Sequence, residues 1–287
     1  MLERTSLYAE SWNVAFRKKA TGILSDKKTP FQVIKNSWRY WAADPFIFEN
    51  HGSVYIFAEL YDYISCKGTL GYCKLENGKK PKWKKVISEK KHLSYPYITK
   101  KDEKIYIIPE SGASNTLYAY TAVSFPDKWE KEFVFRDGVK YGDTTAFCYN
   151  ERKLALAYDV SKPNQYRLLL VDLENAENDT VIHGNAALQR PAGKFFYHND
   201  SLIRPAQICE NDYGEGLIFY KVHFEESGRY SEEEIERILP TELNFSKKLL
   251  LDGMHTYNTT ETYEVIDIKT RRFNLVNFLF RIISKII

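Results

Sequence analysis

The sequence predicts an all-β fold, a five-bladed β-propeller, and three observations lead to this prediction. A phrase of two short aromatic and β-branched runs recurs about every 50 residues, starting at Asp44, Tyr95 and Asp143. A period of this length is typical of radially repeated folds. A polar turn separates the two runs in each copy, as in a β-hairpin. A third and a fourth run follow in the first two copies, and four strands per copy make a propeller blade.

Later copies are weaker but complete the ring. A fourth copy fits 190–207 with a third strand at 217–222, and a fifth copy fits 255–267. We therefore predict one propeller over residues 1–270, with blades starting near residues 44, 95, 143, 190 and 252. We expect the first thirty or so residues to close the ring. A β-sandwich is the alternative, but it does not explain repeats of whole four-strand units.

Two segments fall outside the repeats. The charged stretch 225–237 is predicted to be a helical insertion. In residues 271–287 the apolar side chains follow helical spacing on one side, with basic and amide side chains on the other, which predicts a basic amphipathic C-terminal helix. Such a helix can lie peripherally on an anionic membrane surface. It can equally dock on the side of the propeller or in a dimer.

Composition narrows the class of protein. A chain of 287 residues with 44% hydrophobic content can bury a large core, and a net charge of +3 is too small to indicate nucleic acid as the main partner. The four cysteines show no CxxC pair or zinc spacing, which favours a reducing compartment. The N-terminus lacks the apolar region of a secretory signal, and no stretch is long and apolar enough to cross a bilayer. We therefore expect a cytoplasmic protein.

Several ordered motifs resemble one known family. They are Trp41-Ala42-Ala43-Asp44-Pro45-Phe46, His92-Leu93-Ser94-Tyr95-Pro96-Tyr97, Pro109-Glu110-Ser111 and Phe125-Pro126-Asp127-Lys128-Trp129. Over about residues 38–267 the chain resembles the N-terminal domain of glucosamine inositolphosphorylceramide transferases. That domain in turn looks like the five-bladed propellers of the arabinanase and β-xylosidase clan of glycoside hydrolases. The resemblance implies a carbohydrate-active protein, and bacterial relatives of this type are associated with surface polysaccharide synthesis.

Two aspartates are the first candidates for catalysis. Equivalent positions of different propeller blades converge on the central funnel, so Asp44 and Asp143 are predicted to meet there. By resemblance to the hydrolase clan, they match the general base and an aspartate that tunes the acid. Glycosidic chemistry needs two carboxyl groups, because one protonates the leaving oxygen while the other activates water or attacks. The structural alternative for Asp44 is an Asx turn before Pro45.

Blade four departs from the hydrolase pattern. The clan supplies its acid as a glutamate at the start of this blade, where the present sequence has Gln189-Arg190-Pro191-Ala192. A guanidinium cannot donate a proton near neutral pH, but it binds phosphate bidentately. Arg190, Arg204 on the next strand and His255 at the start of the last blade therefore suit a sugar diphosphate or a phospholipid-linked sugar. Ion pairs are the alternative for both arginines.

Other polar residues are candidates for the acid or for substrate binding. Glu59 and Glu110 end the second strands of blades one and two, where they either replace the missing acid or bond backbone groups between blades. Trp41 can stack on a sugar ring, while His92 and Gln207 can hydrogen-bond sugar hydroxyls. No ligand spacing or nucleotide-binding motif is present. We therefore predict no metal and no cofactor, while a structural metal held by the converging carboxylates in the channel stays open.

The sequence thus predicts a carbohydrate-active enzyme of surface polysaccharide or glycolipid assembly. The expected reaction is glycosyl transfer from a phosphate-linked sugar donor to a glycan or lipid-linked acceptor, with Asp44 as the base. Two alternatives stay open, a glycoside hydrolase of the propeller clan and a non-catalytic sugar-binding propeller. Fold-level analogy does not separate the three.

Overall fold

The computed structural model describes residues 8–19, 29–225, 229–247 and 249–273. Within these residues, twenty strands form five antiparallel sheets of four strands each. Each sheet is one blade, so the five-bladed propeller predicted from the repeat is confirmed. The first strand of blade one contacts those of blades two and five, and the first strand of blade two contacts that of blade three, which places them around a central axis.

Blades one to four each take four consecutive strands in chain order. Blade one comprises β3 (Tyr40–Asn50), β4 (Ser53–Asp62), β5 (Lys67–Leu75) and β6 (Lys84–Ile87). Blade two comprises β7 (Ser94–Lys101), β8 (Lys104–Glu110), β9 (Thr116–Ser124) and β10 (Lys128–Asp137). Blade three comprises β11 (Tyr141–Tyr149), β12 (Arg152–Asp159), β13 (Arg167–Asp172) and β14 (Thr180–Ile182). Blade four comprises β15 (Phe196–His198), β16 (Ser201–Ile208), β17 (Gly216–Phe224) and β18 (Tyr230–Ile238).

Blade five is built from both ends of the described chain. Its strands, in sheet order, are β19 (Tyr257–Thr259), β20 (Tyr263–Phe273), β1 (Tyr8–Lys18) and β2 (Gln32–Val33). β1 pairs antiparallel with β20 along its full length. This pairing closes the ring with the N-terminal strand, as the sequence led us to expect.

Aromatic and β-branched side chains fill the space between neighbouring blades. Between blades one and two, Phe46, Phe57, Tyr95 and Ile98 are buried in one cluster. Their alternation along the strands puts one face of each sheet against the next blade, where burial of apolar area stabilises the ring. The inner strands are therefore held rigidly on both sides, and they carry the site.

The helix predicted over 225–237 is wrong. Residues 230–238 form β18, the outer strand of blade four, paired with β17. The charged residues that suggested a solvated helix, Glu232, Glu233, Glu234 and Glu236, belong to an outer strand with largely exposed side chains. Charge on an edge strand also limits pairing with other chains.

The predicted C-terminal helix is not supported. Residues 271–273 continue β20 as a strand, and 274–287 lie outside the described residues. Helical structure in the described part of the chain is limited to four 3-10 turns. None of the helices described has the length and apolar character needed to cross a membrane. Peripheral membrane contact through 271–287 stays a prediction, as does a cytoplasmic location.

Candidate active site in the central funnel

The repeated phrase begins on a left-handed, bulged residue in each of the first three blades. Asp44, Tyr95 and Asp143 have φ angles of 51°, 44° and 46°, and the register of the inner strand shifts around each of them. Left-handed backbone is unfavourable for most residues, although Asp tolerates it better than others, and a bulge re-aims side chains. The three residues meet at the axis. The Tyr95 N–H donates to Asp44 Oδ2 at 3.1 Å, and the Tyr95 hydroxyl lies 2.7 Å from that of Thr145 in blade three.

Asp143 is paired with a guanidinium. Arg190 Nε donates to Asp143 Oδ2, and Arg190 Nη2 lies 3.5 Å from Glu110 Oε2. Gln207 Nε2 donates to the same Asp143 oxygen at 2.8 Å, and the Asp143 N–H donates to Glu110 Oε2 at 3.2 Å. The Asp143 side chain is only 3% exposed, while that of Arg190 is 22% exposed. The structure thus brings four predicted residues together, with a direct ion pair between Asp143 and Arg190 at their centre.

Asp44 has a different set of partners. Its Oδ1 accepts the Thr256 hydroxyl at 3.1 Å and lies 3.6 Å from His255 Nε2. His255 Nδ1 donates to Asp267 Oδ2 at 2.6 Å. Asp267 also accepts the backbone N–H groups of Asp44, His255 and Thr256 at 3.0, 2.9 and 3.0 Å. Asp267 therefore joins blade five to blade one directly behind Asp44.

The second strands contribute a further ring of polar side chains, one from each blade. Its members are Glu59, Glu110, Tyr158, Gln207 and Asp267. The sequence analysis did not identify Asp267 as a site residue. A signal was available, because an acid follows a tyrosine at the same spacing in three copies, as Tyr55 to Glu59, Tyr106 to Glu110 and Tyr263 to Asp267.

Burial or neighbouring charges raise the pKa of Asp44, Glu110 and His255, for different reasons. Burial raises the pKa of Asp44 to about 6, with Asp143 and Asp267 adding to the rise and His255 opposing it. Burial, followed by the charge of Asp143, raises the pKa of Glu110 to about 8 despite the nearby guanidinium. For His255 burial disfavours the imidazolium, but the charge and hydrogen bond of Asp267 outweigh it and raise the pKa. The funnel thus holds an ionisable base beside a carboxyl group that keeps its proton.

Glu59, His92 and Trp41 lie on the wall between blades one and two. Glu59 is 5% exposed, and its Oε1 lies 3.5 Å from His92 Nε2. Trp41 stacks on Tyr61 with ring centroids 4.6 Å apart and planes 10° from parallel. The register pairs Trp41 with Tyr61 and Ala43 with Glu59, so the stacked rings share a sheet face with the Glu59 carboxyl.

Arg204 does not reach the funnel with a free donor. The residue is fully buried, its Nε and Nη2 donate to Glu232 at 2.9 and 3.0 Å, and its Nη1 donates to the Gln189 carbonyl at 3.1 Å. The ion pair lies within blade four, between β16 and β18. Because all three nitrogens are used there, the expected phosphate contact at Arg204 has no support in this structure.

One group in the described part of the chain has the geometry to hold a metal ion, Asp44 with His255 and Asp267. Its atoms are already used, since Asp267 accepts four hydrogen bonds and Asp44 accepts two. A metal ion would have to displace the short His255–Asp267 bond. We therefore treat the group as a hydrogen-bonded support for Asp44.

The fold and the funnel define a class, the five-bladed β-propellers whose central funnel carries converging carboxyl groups. Residues 31–249 match the family model described as glucosamine inositolphosphorylceramide transferase 1, N-terminal. The chain belongs to this family, and the resemblance read from the motifs is confirmed.

Curated relatives match most of this chain over a minor part of their own length. The chain is 25% identical over 237 residues to glucosamine inositolphosphorylceramide transferase 1 of Arabidopsis thaliana, which covers 75% of the chain and 29% of the plant protein. It is also 25% identical over 195 residues to the protein of the same name from Oryza sativa subsp. indica, covering 63% and 26%. The chain thus spans between a quarter and a third of the length of these relatives.

Solved structures share the fold. The catalytic domain of Coprinopsis cinerea GH62 α-L-arabinofuranosidase has a TM-score of 0.58 and 11% identity, over 89% of this chain and 98% of that one. CoXyl43, a GH43 β-xylosidase/α-arabinofuranosidase from a compost metagenome, has a TM-score of 0.54 and 12% identity, over 90% and 94%. At these identities the likeness concerns the fold, and the chemistry has to be argued from the funnel itself.

Proposed function

We propose that this chain is a carbohydrate-active domain of glycan or glycolipid assembly, which transfers a glycosyl group to an acceptor hydroxyl in the central funnel. The observation that carries the proposal is an aspartate with a pKa of about 6 beside carboxyl groups whose pKa values are raised further. Carboxyl groups with separated pKa values serve as acid and base in glycosidic chemistry. The relatives' name, which is that of a transferase, supports transfer as the reaction.

The contacts give each residue a distinct role. Asp44 is the base that takes the proton of the acceptor hydroxyl, because it is largely ionised at neutral pH and bordered by donors that fix its orientation. Asp143 is bonded to Arg190 and raises the pKa of both Asp44 and Glu110. A second-strand carboxyl, Glu59 or Glu110, supplies the acid that blade four lacks.

The charge balance of the funnel bears on the donor. Of the two arginines expected to bind phosphate, Arg190 alone retains an exposed edge, and its charge is already balanced by Asp143. The aspartates Asp44, Asp143 and Asp267 outnumber the cations Arg190 and His255, even when Glu59 and Glu110 keep their protons. An amino sugar would offset this charge with its ammonium group. Glucosamine, which the relatives' name includes, is such a sugar.

Turnover tests the proposal directly. The purified chain is incubated with sugar nucleotides of glucosamine, N-acetylglucosamine and glucose, together with lipid-linked and polysaccharide acceptors, and products are measured by mass spectrometry. We expect transfer with at least one pair and a loss of about 10²-fold or more in Asp44→Asn, the usual range for a general base. Asp200→Asn, a change at an exposed aspartate, is the control and should leave the rate unchanged. Full activity in Asp44→Asn, or no transfer with any pair, contradicts the proposal.

Hydrolysis is the second candidate, because an acid and a base in one funnel also suit attack by water. Aryl glycosides of arabinose, xylose and glucosamine test it, since hydrolysis releases the coloured phenol. Release without transfer to any acceptor would favour a hydrolase. Sugar binding without either reaction, unaffected by Asp44→Asn, would favour a binding module.

A further inference from the structure

We propose that Glu59, and not Glu110, is the proton donor of the funnel, a role that rests on the glycosyl chemistry proposed above. Glu59 lies on β4 directly opposite Ala43, the residue that precedes Asp44 on β3. It therefore stands beside the proposed base on the neighbouring strand of the same blade. Glu59 lies within the residues that the family model matches. The start of blade four, Gln189-Arg190-Pro191-Ala192, contains no carboxyl group that could act as the acid instead.

The first argument is that the Glu59 carboxyl is buried without a hydrogen bond. The residue is 5% exposed, and its Oε1 has no hydrogen-bond partner among the described residues. An unsatisfied buried carboxylate is costly, while a neutral carboxylic acid in the same place costs much less. The position therefore favours the protonated group, which is free to donate to a ligand oxygen.

The second argument is the orientation of His92. The Gly68 N–H donates to His92 Nδ1 at 3.0 Å, so the neutral imidazole carries its hydrogen on Nε2, which lies 3.5 Å from Glu59 Oε1. Burial lowers the pKa of His92 and keeps the ring neutral. His92 thus faces Oε1 with an N–H group and leaves the other oxygen of Glu59 to carry the proton. Gly68 is required here, because a Cβ atom would collide with Glu59 Oε1 and the Leu93 carbonyl.

The third argument is the charge around Glu59. Burial raises its pKa well above the ordinary value, and the other contributors, which all raise it, are Asp44, Glu110, Asp143 and Asp267. Besides these carboxyl groups, the titratable groups that face it are the neutral His92 and Tyr61. No guanidinium or ammonium is paired with Glu59 in the described part of the chain. No cation therefore stabilises its ionised form.

Glu110 differs from Glu59 in its hydrogen bonds and in its nearby cation. Its Oε2 accepts the Asp143 N–H at 3.2 Å and lies 3.5 Å from Arg190 Nη2, so donors and a positive charge already surround it. The charge of Arg190 favours the carboxylate and opposes the rise in the pKa of Glu110, which burial and the charge of Asp143 nevertheless raise to about 8. Glu110 is consequently better suited to hold Arg190 and the Asp143 backbone than to release a proton.

The transfer step balances with these two groups. The bond between the anomeric carbon and the leaving oxygen breaks, its electron pair passes to that oxygen, and the oxygen takes the Glu59 proton. The acceptor oxygen forms the new bond to the anomeric carbon and gives its proton to Asp44. Proton transfer from Asp44 to Glu59 through solvent then restores the starting state, so no other reactant is needed.

Leaving-group dependence tests the role in catalysis. Donors with a poor leaving group need the acid, and donors with an activated leaving group such as 2,4-dinitrophenolate do not. We expect Glu59→Gln to lower kcat by about 10²- to 10⁴-fold for the poor leaving group and by about tenfold or less for the activated one. Glu110→Gln is the matched control and should show no such selectivity. Equal losses for both leaving groups in Glu59→Gln would overturn the proposal.

Carbon-13 NMR of protein labelled at the glutamate carboxyl carbons tests the proton itself without any turnover. At pH 7 we expect a resonance in the protonated range that disappears in Glu59→Gln. A Glu59 carbon that titrates near the ordinary glutamate value overturns the proposal whether or not activity is found. Absence of turnover with a protonated Glu59 overturns the proposed function instead, so the two failures are distinguishable.

Discussion

The two aspartates that occupy equivalent places in blades one and three have opposite surroundings. Asp143 is bonded to Arg190 and Gln207, and its backbone to Glu110, so its charge is balanced within a compact ion pair. Asp44 is bonded to the Thr256 hydroxyl and the Tyr95 N–H, and its nearest cation, His255, is bonded more closely to Asp267. Similar backbone geometry thus presents one carboxyl group paired with a guanidinium and one without a guanidinium partner.

The difference comes from the fourth and fifth blades. Blade four places an arginine beside Asp143, whereas blade five places a second acid, Asp267, behind Asp44. An opposite charge stabilises an ionised carboxylate, and a like charge together with burial destabilises it. The repeat therefore supplies two equivalent positions, and the blades that depart from the repeat give them separate roles.

The largest expected effect concerns the ion pair between Arg190 and Asp143. Arg190→Met leaves the buried Asp143 carboxylate without its cation, so we expect the free energy of unfolding at pH 7 to fall by about 3–5 kcal/mol. Urea unfolding followed by tryptophan fluorescence measures it. Arg152→Met is the control, since its partner Asp172 keeps other donors and the arginine is 45% exposed; about 1 kcal/mol or less is expected there. A loss below about 1 kcal/mol for Arg190→Met would remove the basis of the comparison.

The next effect concerns the contribution of Asp44 to the free energy of unfolding and its dependence on pH. A carboxyl pKa raised from 3.8 to about 6 means that the folded state holds this proton where the unfolded state has released it. The contribution of Asp44 to stability is therefore largest below pH 4 and falls as the pH rises through about 6, by about 3 kcal/mol in total. Between pH 4 and pH 7 the parent chain should therefore lose about 3 kcal/mol of unfolding free energy relative to Asp44→Asn, in which residue 44 does not titrate. A difference independent of pH would contradict the raised pKa.

The smallest effect concerns the Tyr95 hydroxyl, which we expect to contribute to stability without changing the titration of Asp44. Tyr95→Phe removes the hydroxyl that accepts the Gly193 N–H at 2.7 Å and contacts Thr145, which should cost about 1–2 kcal/mol. The Tyr95 N–H to Asp44 bond remains, so the pH at which Asp44 titrates should not move. Tyr197→Phe, at an exposed tyrosine, is the control and should be neutral. A shifted titration of Asp44 in Tyr95→Phe would show that the hydroxyl tunes the base.

Much of the fold and part of the site follow from local pattern. The recurring phrase predicted the blades. Its starting residues predicted that Asp44 and Asp143 lie at the axis, because each sequence repeat folds into the same structural unit. The charged run 225–237 was misassigned, since an exposed outer strand and a solvated helix share the same composition. Asp267 was missed because blade five matches the repeat weakly, although the spacing from Tyr263 marks it.

By itself, the sequence determined the propeller, the family and the acids that start the inner strands, since these depend on periodicity and on motifs of adjacent residues. Only the tertiary structure decided which acidic and basic side chains form ion pairs. Arg190 and Arg204 look alike in the chain, yet one balances Asp143 at the funnel and the other is enclosed with Glu232 inside its blade. Likewise Glu59 and Glu110 share one position of the repeat, and their neighbours leave one without a hydrogen bond and the other bonded. The physical reason is that pKa and availability depend on distances between blades, which no local pattern encodes.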